Sequence, residues 1–253
     1  MNKIKNKLAV AVAALLSCST LVPAFATTVT PVIIDLQTAG RGVVANISVN
    51  NTGATALPIE AITTALRPQA DGLSTSDAAT DDLLVVPPTA LIPPGQTQTF
   101  RVQWIGDPEM SASKHYYVGI NQLPVKLPEG ESAVQIVYNF QVLVSVSSPG
   151  KKPNLSIKSA VADLSEGKPV AGVTVENNGE AHGYISQYKL KISETNSAGV
   201  ETASKAISGS EFQQLVGYGL VATGQTRTVN VPMDKPSTPG TTLTAVLMDD
   251  RAQ

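Results

Sequence analysis

A single cysteine, Cys18, occurs among 253 residues, so neither a disulfide framework nor a structural zinc site built on thiolates can organise this chain. Charge is scarce as well. Asp, Glu, Lys and Arg make up 15% of the residues and nearly cancel, leaving a formal net charge of −2. The basic stripe that a nucleic-acid partner requires is therefore missing. Histidine appears only as His115 and His182, which the sequence puts in different halves, as polar surface or interface residues rather than a base or a metal ligand. No Gly-x-Ser-x-Gly elbow, glycine-rich phosphate loop or spaced set of oxygen ligands for calcium is present. Asp81-Asp82 and Asp107-Pro108-Glu109 sit among turn residues, where carboxylates cap backbone amides. Together these absences argue against an enzyme, and against a metal, a cofactor, a nucleic acid or a small-molecule substrate.

The first residues have the make-up of an export signal. Lys3, Lys5 and Lys7 precede a mostly apolar run from Leu8 to Val22, and Ala24-Phe25-Ala26 is a small-x-small cleavage site. A lipidation site at Leu16-Ser17-Cys18 fits less well, because Leu16 suits that signal poorly. Residues 1–26 are therefore expected to be a signal peptide, and the rest to be soluble and extracytoplasmic. No later apolar run reaches the ~20 residues of a membrane-spanning helix.

What is abundant is Val, Thr and Ile, broken by Gly, Pro, Asn and Asp about every 8 to 12 residues, the spacing of short strands in a sandwich. Strands are expected at Val29–Leu36, Gly42–Asn50, Ile59–Arg67, Leu83–Val86, Thr97–Ile105 and Tyr116–Leu123, with one helical turn between Ser208 and Gly217. Trp104 reads as core filling. Pro149-Gly150-Lys151-Lys152-Pro153 reads as a linker. It divides the chain into an N-terminal domain, 27–149, and a C-terminal domain, 150–253. Two motifs recur across that division. Ala45–Gly53 (Ala-Asn-Ile-Ser-Val-Asn-Asn-Thr-Gly) answers Ala171–Gly179 (Ala-Gly-Val-Thr-Val-Glu-Asn-Asn-Gly). Gly95–Val102 (Gly-Gln-Thr-Gln-Thr-Phe-Arg-Val) answers Gly224–Val231 (Gly-Gln-Thr-Arg-Thr-Val-Asn-Val). Each pair lies at nearly the same separation, as two copies of one unit would. The Asn-x-Gly ends are expected to turn through the left-handed backbone region that Asn and Gly tolerate. The predicted fold is all-β, two immunoglobulin-like sandwiches.

One strand departs from the rest. From Val134 the chain alternates without a break to Val146: Val134, Ile136, Tyr138, Phe140, Val142, Val144 and Val146 share one face. At about 3.3 Å per residue it would span roughly 40 Å, twice a typical strand. Either it is a long last strand covered along its whole length, or part of its apolar face is offered to another protein. Long apolar edges are usually designed away because they recruit other chains. Recruitment by strand addition would use backbone bonds for affinity and alternate side chains for pockets. Four such side chains would bury roughly 6–12 kcal/mol of gross apolar free energy, partly offset by ordering.

A resemblance favours the second reading. The order Val32-Ile33-Ile34, Ala45–Gly53, Leu84-Val85-Val86-Pro87-Pro88, Leu91-Ile92-Pro93-Pro94-Gly95-Gln96, Phe100-Arg101-Val102, Tyr116-Tyr117-Val118-Gly119-Ile120, Leu123-Pro124 and the long alternating strand resembles the PapD-like periplasmic chaperones of pilus assembly. The family implies two Ig-like domains set in an L. It also implies partners: pilin subunits, completed by a strand lent from the first domain, and an outer-membrane usher that receives them. The free form could self-associate through the exposed strand. Carried onto this chain, the subunit-binding residues are Val134, Ile136, Tyr138 and Phe140, with Val142 to Val146 kept for the protein's own core. Well-known members hold the subunit's C-terminal carboxylate with an Arg before the first Val-Ile and a Lys near the end of the lending strand. Here Pro31 and the run Val144-Ser145-Val146-Ser147 stand in those places, so the chain is more similar to the archaic branch. Arg101 is the substitute carboxylate anchor, since a guanidinium grips a carboxylate through paired hydrogen bonds; Lys114 and Lys126 are weaker choices. Two other readings remain open at this point: a structural pilus subunit or adhesin, and a surface hydrolase or lectin with an unrecognised site.

Overall fold

The structure, a computed structural model, describes residues 27–76, 80–124 and 137–249. The chain folds as two β-sandwiches, each closed around its own apolar core. The first contains β1 (Thr28–Thr30), β2 (Ile33–Gln37), β3 (Val44–Asn50), β4 (Leu57–Gln69), β5 (Gly72–Thr75), β6 (Leu83–Val86), β7 (Thr89–Ile92), β8 (Thr97–Trp104), β9 (Lys114–Gln122) and β10 (Asn139–Ser147). One sheet has the order β1-β3-β8-β6. The facing sheet runs β2-β10-β9-β4-β5, with β7 also paired to β4.

Alternation assigns each strand its inner face. Ile47, Val49, Phe100, Val102 and Trp104 enter from the first sheet and Tyr116, Val118, Ile120, Val142, Val144 and Val146 from the second, and all are buried. The expected single strand Val29–Leu36 divides at Pro31, which has no amide hydrogen to continue a ladder. β1 pairs with β3 in one sheet, and β2 crosses to pair in parallel with β10 in the other.

The second sandwich contains β11 (Leu155–Ser165), β12 (Lys168–Asn177), β13 (Gly183–Tyr184), β14 (Tyr188–Thr195), β15 (Glu201–Ile207), helix α1 (Gly209–Leu215), β16 (Leu220–Val221), β17 (Thr226–Pro232) and β18 (Thr242–Asp249). Sheet β11-β12-β17 packs over sheet β15-β14-β18, and β13 pairs with β16. The helical turn forms where the sequence suggests. Ser208 caps it, its Oγ accepting from the Glu211 amide at 3.2 Å, and Phe212 is buried in the core.

The repeated motifs perform the same task twice. Asn51 is 2% exposed; its Nδ2 donates to the Thr55 and Ile92 carbonyls at 2.8 and 2.9 Å, and its Oδ1 accepts from the Gly53 amide at 3.0 Å. Asn177 is 1% exposed; its Nδ2 donates to the Ala181 and Val221 carbonyls at 2.8 and 3.0 Å, and its Oδ1 accepts from the Gly179 amide at 2.9 Å. Backbone bonds complete each bracket: Gly95 to Asn51 and Asn51 to Gln96, then Gly224 to Asn177 and Asn177 to Gln225. The left-handed glycines are Gly95 and Gly224, at φ +70° and +71°, not the glycines of Asn-x-Gly. Gly179 is required for space instead, because a Cβ there would stand 2.4 Å from the Asn154 nitrogen.

Asn51→Ala strands two carbonyls and one amide, and Asn177→Ala two carbonyls and two amides, since Asn177 Oδ1 also accepts from the Asn154 amide at 3.0 Å. Each substitution should lower the unfolding free energy by about 2–4 kcal/mol, measured by denaturant titration. Asn178→Ala, beside the second bracket, should change it by less than about 0.5 kcal/mol.

Candidate functional site

β10 is paired unequally on its two sides. β9 accompanies it from Asn139 to Val146. On the other side β2 begins only at the pair Leu143–Ile33, and the Leu143 amide donates to the Val32 carbonyl at 3.0 Å. Before Leu143 no strand among the described residues lies on that side. Backbone groups alternate along a strand. The Tyr138 carbonyl faces β9, accepting from the Gln122 amide at 2.9 Å, so those of Asn139 and Gln141 face the open side. The apolar face changes along the same length. Val142, Val144 and Val146 are fully buried, Phe140 is partly buried against the core, and Tyr138 is 42% exposed. The Tyr138 and Phe140 rings stack at 6.3 Å with a 19° interplanar angle.

Where β2 closes the open side, the two sandwiches border an open cavity of about 410 Å³, lined by Ile33, Leu143, Tyr117, Tyr218, Asp71 and Arg227 among others. Arg227 extends from β17. Its Nη1 donates to the Leu220 carbonyl at 2.6 Å, and its buried Nε meets no acceptor among the described residues. It joins none of the ion pairs of the described residues. Burial lowers its pKa from the usual guanidinium range, opposed by the nearby Asp71 and Tyr117. A half-desolvated cation with spare donors in a cleft is suited to a planar oxyanion.

Beside the cavity a polar cluster ties the sandwiches together. His182, whose side chain is 6% exposed, has Nε2 3.0 Å from Asp35 Oδ1 and Nδ1 3.0 Å from Ser113 Oγ. The Tyr184 hydroxyl donates to the same Asp35 oxygen at 2.7 Å. His115 Nδ1 lies 2.9 Å from Ser145 Oγ, and its ring meets that of His182 edge-on at 5.4 Å. Burial pushes His115 down to about 3, helped by His182 and opposed by Asp35. Burial and the Asp35 charge push the Tyr184 phenol up. Burial raises the Asp35 carboxyl, but the hydrogen bonds from His182 and Tyr184 outweigh it and leave the group below its usual range. Ser, His and Asp stand in series here, yet Ser113 Oγ already accepts from the His182 amide at 2.9 Å. The arrangement works as a clasp and does not free a nucleophile.

The structure brings together only part of the predicted set. Tyr138 and Phe140 lie at the open edge, whereas Val134 and Ile136 fall outside the described residues, as does Lys126. Arg101 does not join them. It stands on the exposed outer face of β8, between Asn46 and Val86 in the sheet that lacks β10. Lys114 is occupied by Asp82 at 2.9 Å and by the Trp104 face. Arg227, which sequence reasoning missed, lies inside the second repeat motif. It answers Gln98 of the first copy, and that mismatch was the available signal.

No family model matches the chain, and no curated protein is similar to it. Among solved structures it is similar to the class 5 fimbriae chaperone CfaA, at 13% identity over 88% of this chain and 99% of that one, with a TM-score of 0.52. The fold is that of a pilus chaperone. A chain of the CFA/I chaperone–tip adhesin complex matches at 12% identity over 88% and 98%, with a TM-score of 0.52. A chain of the CsuC–CsuE chaperone–tip adhesion subunit pre-assembly complex, from archaic chaperone-usher Csu pili of Acinetobacter baumannii, matches at 12% over 88% and 98%, with a TM-score of 0.51. Within this chaperone fold the open edge and the Arg227 cavity are argued from the chain's own side chains. Replacing Arg227 gives up its bond to the Leu220 carbonyl but also relieves a partly desolvated cation outside the ion pairs of the described residues, and the two largely offset. Arg227→Met should shift the unfolding free energy by less than about 1 kcal/mol; a loss above about 2 kcal/mol would make Arg227 a structural clamp.

Proposed function

We propose that this protein is a periplasmic chaperone that caps pilin subunits by lending them β10 and then delivers them to an outer-membrane usher. The observation that carries this reading is the uneven pairing of β10, whose open edge coincides with the stretch where its apolar face leaves the core. An incomplete subunit would add its own strand to the backbone groups of Asn139 and Gln141. It would take Tyr138 and Phe140, together with Val134 and Ile136, into its groove. The chaperone fold of the similar solved structures supports the reading.

Arg227 replaces Arg101 as the proposed carboxylate anchor. A strand running parallel to β10 along the open edge, as β2 does, must stop where β2 begins. Its C-terminus then arrives at Ile33 and Leu143, beside the spare donors of Arg227. Fork-to-carboxylate bonding would fix the register of the captured strand.

Phe140→Asp or Ile136→Asp should reduce co-purification of subunit from periplasm to background while the second sandwich stays folded. Recovery at the wild-type level would contradict strand lending. Arg227→Ala should weaken subunit affinity about 10–100-fold, and Arg101→Ala should leave it unchanged. A structural pilus subunit would instead be found in sheared fibres, and its presence there would replace the chaperone reading.

A further inference from the structure

Two separate clasps join the sandwiches, and only one of them is built from titratable side chains. The first is an amide clasp at the β4–β5 turn. Gln225 Nε2 donates to the Gln69 and Gly72 carbonyls at 2.5 and 2.8 Å, and the Thr228 amide donates to the Ala70 carbonyl at 3.3 Å. The second is the histidine cluster, where Asp35, Ser113, His115 and Ser145 of the first sandwich meet His182 and Tyr184 of the second. The Arg227 cavity is lined from both sides, by Asp71 and Gly72 near the first clasp and by Tyr218 and Leu220 near the second.

His115 has no partner or solvent for a second, charging proton. It is 2% exposed, and its Nε2 is buried without a partner among the described residues. The charged and titratable groups around it offer little relief. From β2, Asp35 is the one carboxylate in the cluster, and its Oδ1 already serves His182 and Tyr184. From β4, Arg67 lines the same groove, with Asp81 and Asp82 beyond it. Lys114, next in the chain, is held by Asp82. From the second sandwich come the His182 ring and the phenol of Tyr184, with Tyr218 behind it. Lys151 pairs with Glu180 at the linker. A second proton on the His115 ring would therefore be a desolvated charge pressed against a second imidazole.

We propose that the joint is a proton-operated latch: acidification opens the histidine clasp while the Gln225 clasp holds, so that the second sandwich pivots about the β4–β5 turn and the Arg227 cavity opens. The sign follows from linkage. A base whose pKa falls to about 3 in the closed joint and returns to about 6.5 when solvated favours the closed form fully above about pH 6.5. That preference is lost progressively as the pH falls toward 3. Between pH 7.5 and pH 5 the open form gains about 30-fold. The latch stands independently of the chaperone reading, since it uses no partner.

Amide hydrogen exchange on the full chain tests it, with rates corrected for intrinsic pH dependence. The His182 amide, bonded to Ser113 across the joint, reports the latch; the Thr228 amide, bonded to Ala70, reports the pivot. From pH 7.5 to pH 5 His182 protection should fall about 30-fold while Thr228 protection holds. His115→Asn, which keeps a donor near Ser145 but cannot charge, should remove the dependence. Unchanged His182 protection, parallel loss at both amides, or a pH response retained in the Asn variant would each overturn the latch. If His115→Asn does not fold, the two wild-type amides decide the matter alone.

Discussion

The parallel pairing of β2 with β10, which starts at Leu143 and not before, is the constraint from which the rest follows. It closes the C-terminal part of β10 into the sheet, where Val142, Val144 and Val146 complete the core. It also leaves the preceding residues with one bonded edge and one open edge. An apolar strand held rigid on one side by β9 and open on the other is a prepared template for strand addition. The start of β2 limits how far an added strand can run, and Arg227 stands at that limit. The proposed site and its stop thus arise from one register.

The repeated motifs build the same scaffold twice, and the proposed anchor lies where the two copies differ. Asn51 and Asn177 bracket equivalent turns with equivalent bonds, so both sandwiches are stabilised by the same buried amide. The position of Gln98 in the first copy bonds a backbone carbonyl of its own strand. In the second copy it is Arg227, which reaches the space between the sandwiches. Gln225 shows a similar gain. Its counterpart Gln96 belongs to a turn, whereas Gln225 clasps the other sandwich.

The all-β class, most strands and the two-unit organisation were legible because alternation and turn residues are local signals. The alternation of the long strand was legible, but the division of its face came from the family resemblance and not from the residues; Val142 to Val146 are buried and Tyr138 is exposed. Sheet membership was not. Alternation shows that Arg101 points outward from its strand, but not which sheet that strand joins, and β8 lies opposite β10. The crossing at Pro31 is marked only by its missing amide hydrogen, which the apolar run on either side masks as one continuous strand. Contacts across the joint leave no periodic trace. Nothing local in the sequence brings His115 to His182, or Arg227 to Leu143; packing of one sandwich on the other does.

Hydrogen exchange at Gln141 tests the central claim most directly, by comparing the free protein with its complex with a purified pilin subunit. The Phe140 and Val142 amides face β9 and should be protected in both states. The Gln141 amide should exchange freely in the uncomplexed protein and become protected when the subunit binds. Binding that leaves Gln141 exchange unchanged while protecting another edge, such as β6, would contradict the account.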